Sequence, residues 1–140
     1  DYLDAHLNES MRSRPVVPLV VRELKQAWQF GAHRVNEGTI AAVSILLLHH
    51  RDDLYERPFA FEPQRFLGVR PAPHTLMPFG GGNRRCLGAT LAMSELEIVV
   101  TEILRRVDLA PAERPAERPR HRNVTMIPRE GGLVRATAIR

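Results

Sequence analysis

Leu3, Leu7 and Met11 fall at four-residue intervals with mostly polar residues between them, and Pro15 follows. This stripe predicts a helix over residues 2–13, ended by Pro15, whose ring has no amide hydrogen to continue the helix. The pattern then changes. Pro15 and Pro18 bracket an extended turn, and Val16 to Arg22 is β-branched and strand-like. A strand pair is expected around Trp28 to His33 and Thr39 to Val43, with Asn36-Glu37-Gly38 as its turn. Ile45 to Asp53 reads as a short helix. Residues 54–78 lose all period: Tyr55, Pro58, Phe59, Phe61, Pro63, Phe66 and Pro71 follow in irregular order. That reads as a long packed loop, and such loops in compact domains are usually functional.

Helical period returns from Leu87 to Val107. Leu91, Met93, Leu96, Ile98, Val99, Val100, Ile103 and Leu104 cover most of its girth, so this helix is expected to be buried. Glu102 and Arg106 form an i,i+4 pair on its outer side. Residues 111–120 repeat Pro-Ala-Glu-Arg and read as a solvated connector. Val124 to Ile127 and Leu133 to Ile139, around Gly131-Gly132, are expected to make a final hairpin. The whole is a mixed fold, mainly α with small β-sheets.

Composition narrows the class. A chain of 140 residues that is 44% apolar suits one globular domain with a sizeable core. The longest apolar run, Ile40 to Leu48, is about half a bilayer span, so no membrane-crossing segment is expected here. No signal peptide is visible. The net charge of +4 is carried almost wholly by Arg, since Lys25 is the only lysine. The abundance of Ala, Pro and Arg fits a GC-rich bacterial coding bias. Nucleic-acid binding is disfavoured: the arginines are scattered among 16 acids, and the 6% aromatic residues do not alternate with them.

The candidate chemistry is concentrated at Phe79-Gly80-Gly81-Gly82-Asn83-Arg84-Arg85-Cys86-Leu87-Gly88. Cys86 is the only cysteine, so it forms no internal disulfide, and without companion ligands it makes a poor zinc site. A reducing compartment suits it. Loop amides, a helix N-terminus and two guanidinium groups would all favour a thiolate. A phosphate-binding loop is the rival, but the Gly-Lys-Ser/Thr ending is missing.

The spacing Phe79-x-x-Gly82-x-Arg84-x-Cys86-x-Gly88 resembles the haem-binding signature of the cytochrome P-450 haem-thiolate monooxygenases. Glu9-Ser10-Met11-Arg12 resembles the Glu-x-x-Arg of that family's K helix. Pro63-Gln64-Arg65-Phe66 resembles its Pro-Glu-Arg-Phe box, with Gln64 where Glu is usual. His50-Arg51-Asp52-Asp53 departs mildly from the family's His-Arg-Asp-Pro. The resemblance covers nearly the whole chain, but only about the carboxy-terminal third of a typical member. It implies, in order, the K helix, β hairpins, meander loop, Cys-ligand loop, L helix and final β hairpin. Residues 1–140 are then expected to be a fragment of one larger monooxygenase domain, without the oxygen-activating helix.

The resemblance implies that Cys86 is the axial ligand of haem b and both the catalytic and the metal-binding residue. Phe79, Gly80, Gly82, Arg84 and Gly88 would complete the haem site, with Arg84 on a propionate. Arg22 and, more loosely, His33 occupy the stretch where many relatives place another propionate partner. Glu9, Arg12 and Arg65 would form a buried structural ion network. Val16 to Val20 and Ile127 to Leu133 would line the pocket for a lipophilic substrate. Arg85 would face a ferredoxin- or flavodoxin-type electron donor. The implied reaction inserts one oxygen atom from O2 into a small lipophilic molecule, in the cytoplasm. An anchor upstream of Asp1 is compatible with it. A truncated, non-catalytic remnant is the alternative.

Overall fold

The computed structural model describes residues 1–115 and 117–140. Helix α1 spans Tyr2–Ser13. The Asp1 carboxylate caps it, accepting from the Leu3 and Asp4 amides, which have no carbonyl partner within the helix. Strands β1 (Leu19–Glu23), β2 (Trp28–Phe30), β3 (His33–Val35) and β4 (Ile40–Ser44) follow. Ser44 caps helix α2 (Ile45–His49) through its hydroxyl, which accepts from the Leu47 amide. The long segment 54–78 carries a 3-10 turn at Pro63–Phe66. Helix α3 (Ala89–Arg106) runs into β5 (Val107–Pro111), and β6 (Pro119–Arg122), β7 (Thr125–Pro128) and β8 (Val134–Ile139) complete the order. No helix among the described residues is long and apolar enough to cross a membrane.

Strand pairing corrects two expectations. All sheets among the described residues are two-stranded and antiparallel, and in each half of the chain one pair is enclosed by another in sequence. β1 pairs with β4, Leu19 opposite Ser44, while β2 and β3 close on each other through Gly31 and Ala32. Gly31, at φ +56°, supplies the left-handed turn there, which displaces the expected partnership of 28–33 with 39–43. Likewise β7 pairs with β6 around Asn123 and Val124, Asn123 taking φ +54°. β8 instead reaches back to β5. The connector read at 111–120 is therefore partly strand at both ends, and its Ala116 lies outside the described residues. The helix expected at 45–53 stops at His49.

The centre lies between α1 and segment 54–78. Ala5, Tyr55 and Phe66 form a small buried apolar cluster with Leu76 against it. Beside it the largest fully enclosed side chains are Arg12, Ile45, His49 and Glu9, so most of that enclosed group is polar. Helix α3 departs from expectation: of its residues only Ala89 is buried, and Leu91, Ile98, Val99 and Leu104 are half-exposed or more. Its apolar girth finds few partners within these residues.

Candidate functional site

The loop 77–88 is shaped by its glycines. Gly80 and Gly82 take φ +70° and +62°, a region that costs other L-residues roughly 1–2 kcal/mol. The turn is tied by backbone bonds: the Gly80 amide donates to the Met77 carbonyl at 3.0 Å, and the Arg85 amide to Gly82 at 3.1 Å. The Cys86 amide then donates to the Phe79 carbonyl at 3.0 Å, which closes the loop. Cys86 sits exposed at its end, just before α3. A Cβ on Gly88 would stand 3.9 Å from the sulfur, an ordinary contact. A Cβ on Gly81 would come within 2.7 Å of the Met77 methyl, so this backbone packs closely on that side chain.

Cys86 opens onto a cavity of about 620 Å³. Phe79, Gly80 and Arg84 join it from the loop, Val20 and Arg22 from β1, Val16 and Val17 from the segment after α1, and Ala92, Leu96 and Val99 from α3. The structure thus gathers five of the seven expected cofactor residues at one cavity. Gly82 and Gly88 shape the backbone beside it and are not among its lining. His33 lies in β3 opposite Phe30 and is not among the residues that line this cavity. The Arg22 guanidinium donates to the Val21 carbonyl at 2.7 Å. The Met126 amide donates to the Val16 carbonyl at 2.6 Å and brings β7 beside this region. Ile127, Pro128 and Gly132 line a second cavity of about 550 Å³, which shares Met11, Val16 and Leu96 with the first.

Behind the loop lies the polar centre. Arg12 donates through Nε and Nη2 to the two Glu9 oxygens, at 2.6 and 2.8 Å, a fork that fits a carboxylate. Its remaining donors reach the carbonyls of His49, Pro58 and Ala60 at 2.7, 2.8 and 3.1 Å. The Glu62 amide donates to Glu9 at 2.8 Å. Arg65 Nε lies 3.3 Å from Glu9 Oε2, an ion pair without hydrogen-bond alignment, while its other nitrogens bond the Glu56 carbonyl and the Glu62 carboxylate. Burial works against the Glu9 charge. The Arg12 and Glu62 bonds and the charges of Arg12 and Arg65 outweigh it and hold its pKa below the usual range.

Two members of this centre escaped the sequence reading. Tyr55 lies under the guanidinium groups of Arg12 and Arg65, at 5.1 and 5.9 Å from its ring centre, and its hydroxyl donates to the Thr75 carbonyl at 2.8 Å. His49 is fully enclosed. Its Nδ1 meets the Arg12 carbonyl at 3.2 Å and its Nε2 accepts from the Met77 amide at 2.8 Å. That pair of bonds assigns a neutral ring with the proton on Nδ1. Burial, with the charges of Arg12 and His50, pushes its pKa down to about 4. Only the position of His49 at the end of an apolar helix could have flagged it.

Comparison with known proteins settles the family. The cytochrome P450 family model matches residues 1–135. The chain belongs to the cytochrome P450 family. It is 44% identical over its full length to cytochrome P450 135B1 of Mycobacterium tuberculosis and covers 30% of that relative. It is 39% identical over 134 residues to cytochrome P450 137 of the same species, covering 28% of it. Among solved structures, the retinoic acid-bound cyanobacterial CYP120A1 matches 96% of this P450 chain at TM-score 0.85 and 30% identity. A zebra fish cytochrome P450 with progesterone matches 99% at TM-score 0.80 and 32% identity. The chain spans about a third of the length of the P450 proteins it matches. The mixed helix and small-sheet fold expected from the sequence is the one these structures share.

A P450 haem is a flat apolar macrocycle with carboxylates on one edge, and the cavity suits that chemistry. It offers a single thiol, apolar walls from Val16, Val20, Phe79, Leu96 and Val99, and two arginines. Among the described residues, no group of three or more His, Cys, Asp or Glu is placed to hold a metal ion.

Proposed function

We propose that residues 1–140 form the haem-binding, carboxy-terminal portion of a P450 monooxygenase domain, with Cys86 as axial ligand. The reading rests on one observation: the only thiol of the chain and two guanidinium groups meet at one apolar cavity. Haem b, held there, would supply the redox chemistry with which O2 is activated for monooxygenation. The residues supply the setting. Cys86 would hold the iron through its sulfur, the donor type that suits monooxygenase chemistry. Arg84 and Arg22 would hold the propionates as charge-assisted pairs. Phe79, Val16 and Val20 keep water from the sulfur side and the walls. Gly80 and Gly82 turn the loop so that backbone amides can approach the sulfur and tune its donor strength. The substrate is a small lipophilic molecule, consistent with the valines after α1. Electrons come from a ferredoxin- or flavodoxin-type donor docking on the side of Arg85.

The test is the carbon monoxide difference spectrum of the reduced, haem-loaded protein. A red-shifted Soret band, lost in Cys86→Ser, supports thiolate ligation by Cys86. A band at the position of His-ligated or free haem in the unmodified protein overturns it. Arg84→Ala and Arg22→Ala should each weaken haem retention by about tenfold, one charged bond's worth.

A further inference from the structure

We propose that His49 is a positioning residue that pins the start of the Cys86 loop to helix α1. The proposal deepens the haem-thiolate reading and rests on it for its bearing on function. Its geometric part stands alone. One face of the imidazole is tied to α1, since Nδ1 meets the Arg12 carbonyl at 3.2 Å. The other ring nitrogen accepts the Met77 amide at 2.8 Å. The His49 carbonyl in turn receives Arg12 Nη1 at 2.7 Å, so the residue is clamped through both backbone and ring.

Met77 is where the Cys86 loop begins. Its amide goes to His49, its carbonyl takes the Gly80 amide at 3.0 Å, and its methyl fills the space over Gly81. Two residues further on, the Phe79 carbonyl holds the Cys86 amide. The hydrogen-bonded path from Arg12 straight to Met77, at the head of the sulfur-bearing loop, thus passes through this ring. An amide group could imitate the acceptor, whereas a hydrocarbon cannot, and the part-buried Met77 N–H would then lack its partner. The ring must be neutral to accept, which agrees with its enclosed position away from any carboxylate partner. The thioether and carbonyl of Met77 then set the entry angle of the glycine turn.

The test uses the protein with His49→Leu and His49→Gln. Amide exchange at Met77, Gly80 and Cys86 is measured in haem-free protein, and the reduced carbonyl spectrum in loaded protein. His49→Leu should speed exchange at these amides by about tenfold relative to α3, and raise the fraction of carbonyl complex lacking the thiolate band. His49→Gln, which keeps an acceptor, should restore both within about twofold. Unchanged local exchange in His49→Leu overturns the pin. So does an equal rise across the whole chain in both variants, which marks a general packing role. If unmodified protein lacks the thiolate band, the haem reading fails, and exchange at Met77 still decides for or against His49.

Discussion

Glu62 donates its backbone amide to Glu9 across 53 residues of sequence, at 2.8 Å, within a carboxylate already forked by Arg12. Helix α1 and the loop before the cysteine are therefore joined by a charge that the backbone itself helps to satisfy. Removing that charge leaves Arg12 enclosed with its fork unfilled. Glu9→Gln should lower stability by about 3–5 kcal/mol, read as a denaturant midpoint shift with unchanged slope. A fall under ~1 kcal/mol would mean that Arg12 finds water or another partner.

Acid should weaken the fold through His49 before it protonates most carboxylates. Its pKa is pushed from 6.5 in the unfolded chain to about 4 in the fold, with Arg12 and His50 facing the ring. The unfolded chain binds the extra proton first, so stability falls as pH drops from about 6.5 to about 4 and levels off below. The loss amounts to about 3 kcal/mol, and His49→Gln should remove this part of the pH profile. Glu9, held below its ordinary value, adds a loss only at lower pH, as its carboxylate is protonated. A profile that is flat between pH 6.5 and 4.5 would contradict the assignment of a neutral ring.

Tyr55 offers a graded pair of changes. Tyr55→Phe loses only the hydroxyl bond to Thr75 and should cost about 1 kcal/mol. Tyr55→Leu also removes the ring face beneath two guanidinium groups and should cost about 3 kcal/mol or more. Thermal unfolding of the two variants separates the contributions, and equal shifts would discount the ring.

Neighbouring glycines of the loop should respond differently. Gly80→Ala meets open space, so its cost is the left-handed backbone alone, about 1–2 kcal/mol. Gly81→Ala has no such backbone demand, and its methyl meets the end of the flexible Met77 side chain. It should cost less in stability but disturb haem loading more, through the displaced Met77. Stability and haem-titration curves for both variants read the contrast.

Much of the site was written in short-range spacing. The residues from Phe79 to Cys86 are continuous, so a motif could mark a loop in which Gly80 and Gly82 do take left-handed backbone. Helix α1 was equally readable from Leu3, Leu7 and Met11, and its observed ends agree. Partnership was harder. The β-branched runs of β1 and β4 gave each strand but not its mate, since Gly31-Ala32 and Asn123-Val124 close smaller hairpins within. The apolar girth of α3 pointed to burial, yet these residues supply few surfaces to cover it. His49 and Tyr55 were invisible for another reason: their roles depend on Met77, Thr75 and two arginines brought near by tertiary structure alone.

The polar group at the centre has a consequence for how this chain can change. An oily interior tolerates reshuffling, because one hydrocarbon replaces another whenever the volume is kept. Glu9, Arg12 and His49 allow no such trade. Each is matched in charge, direction and proton count to a partner on a different segment, so a swap at one position asks for simultaneous answers at two or three others. Single steps away from this arrangement lead downhill, and the routes by which the sequence can drift run around it.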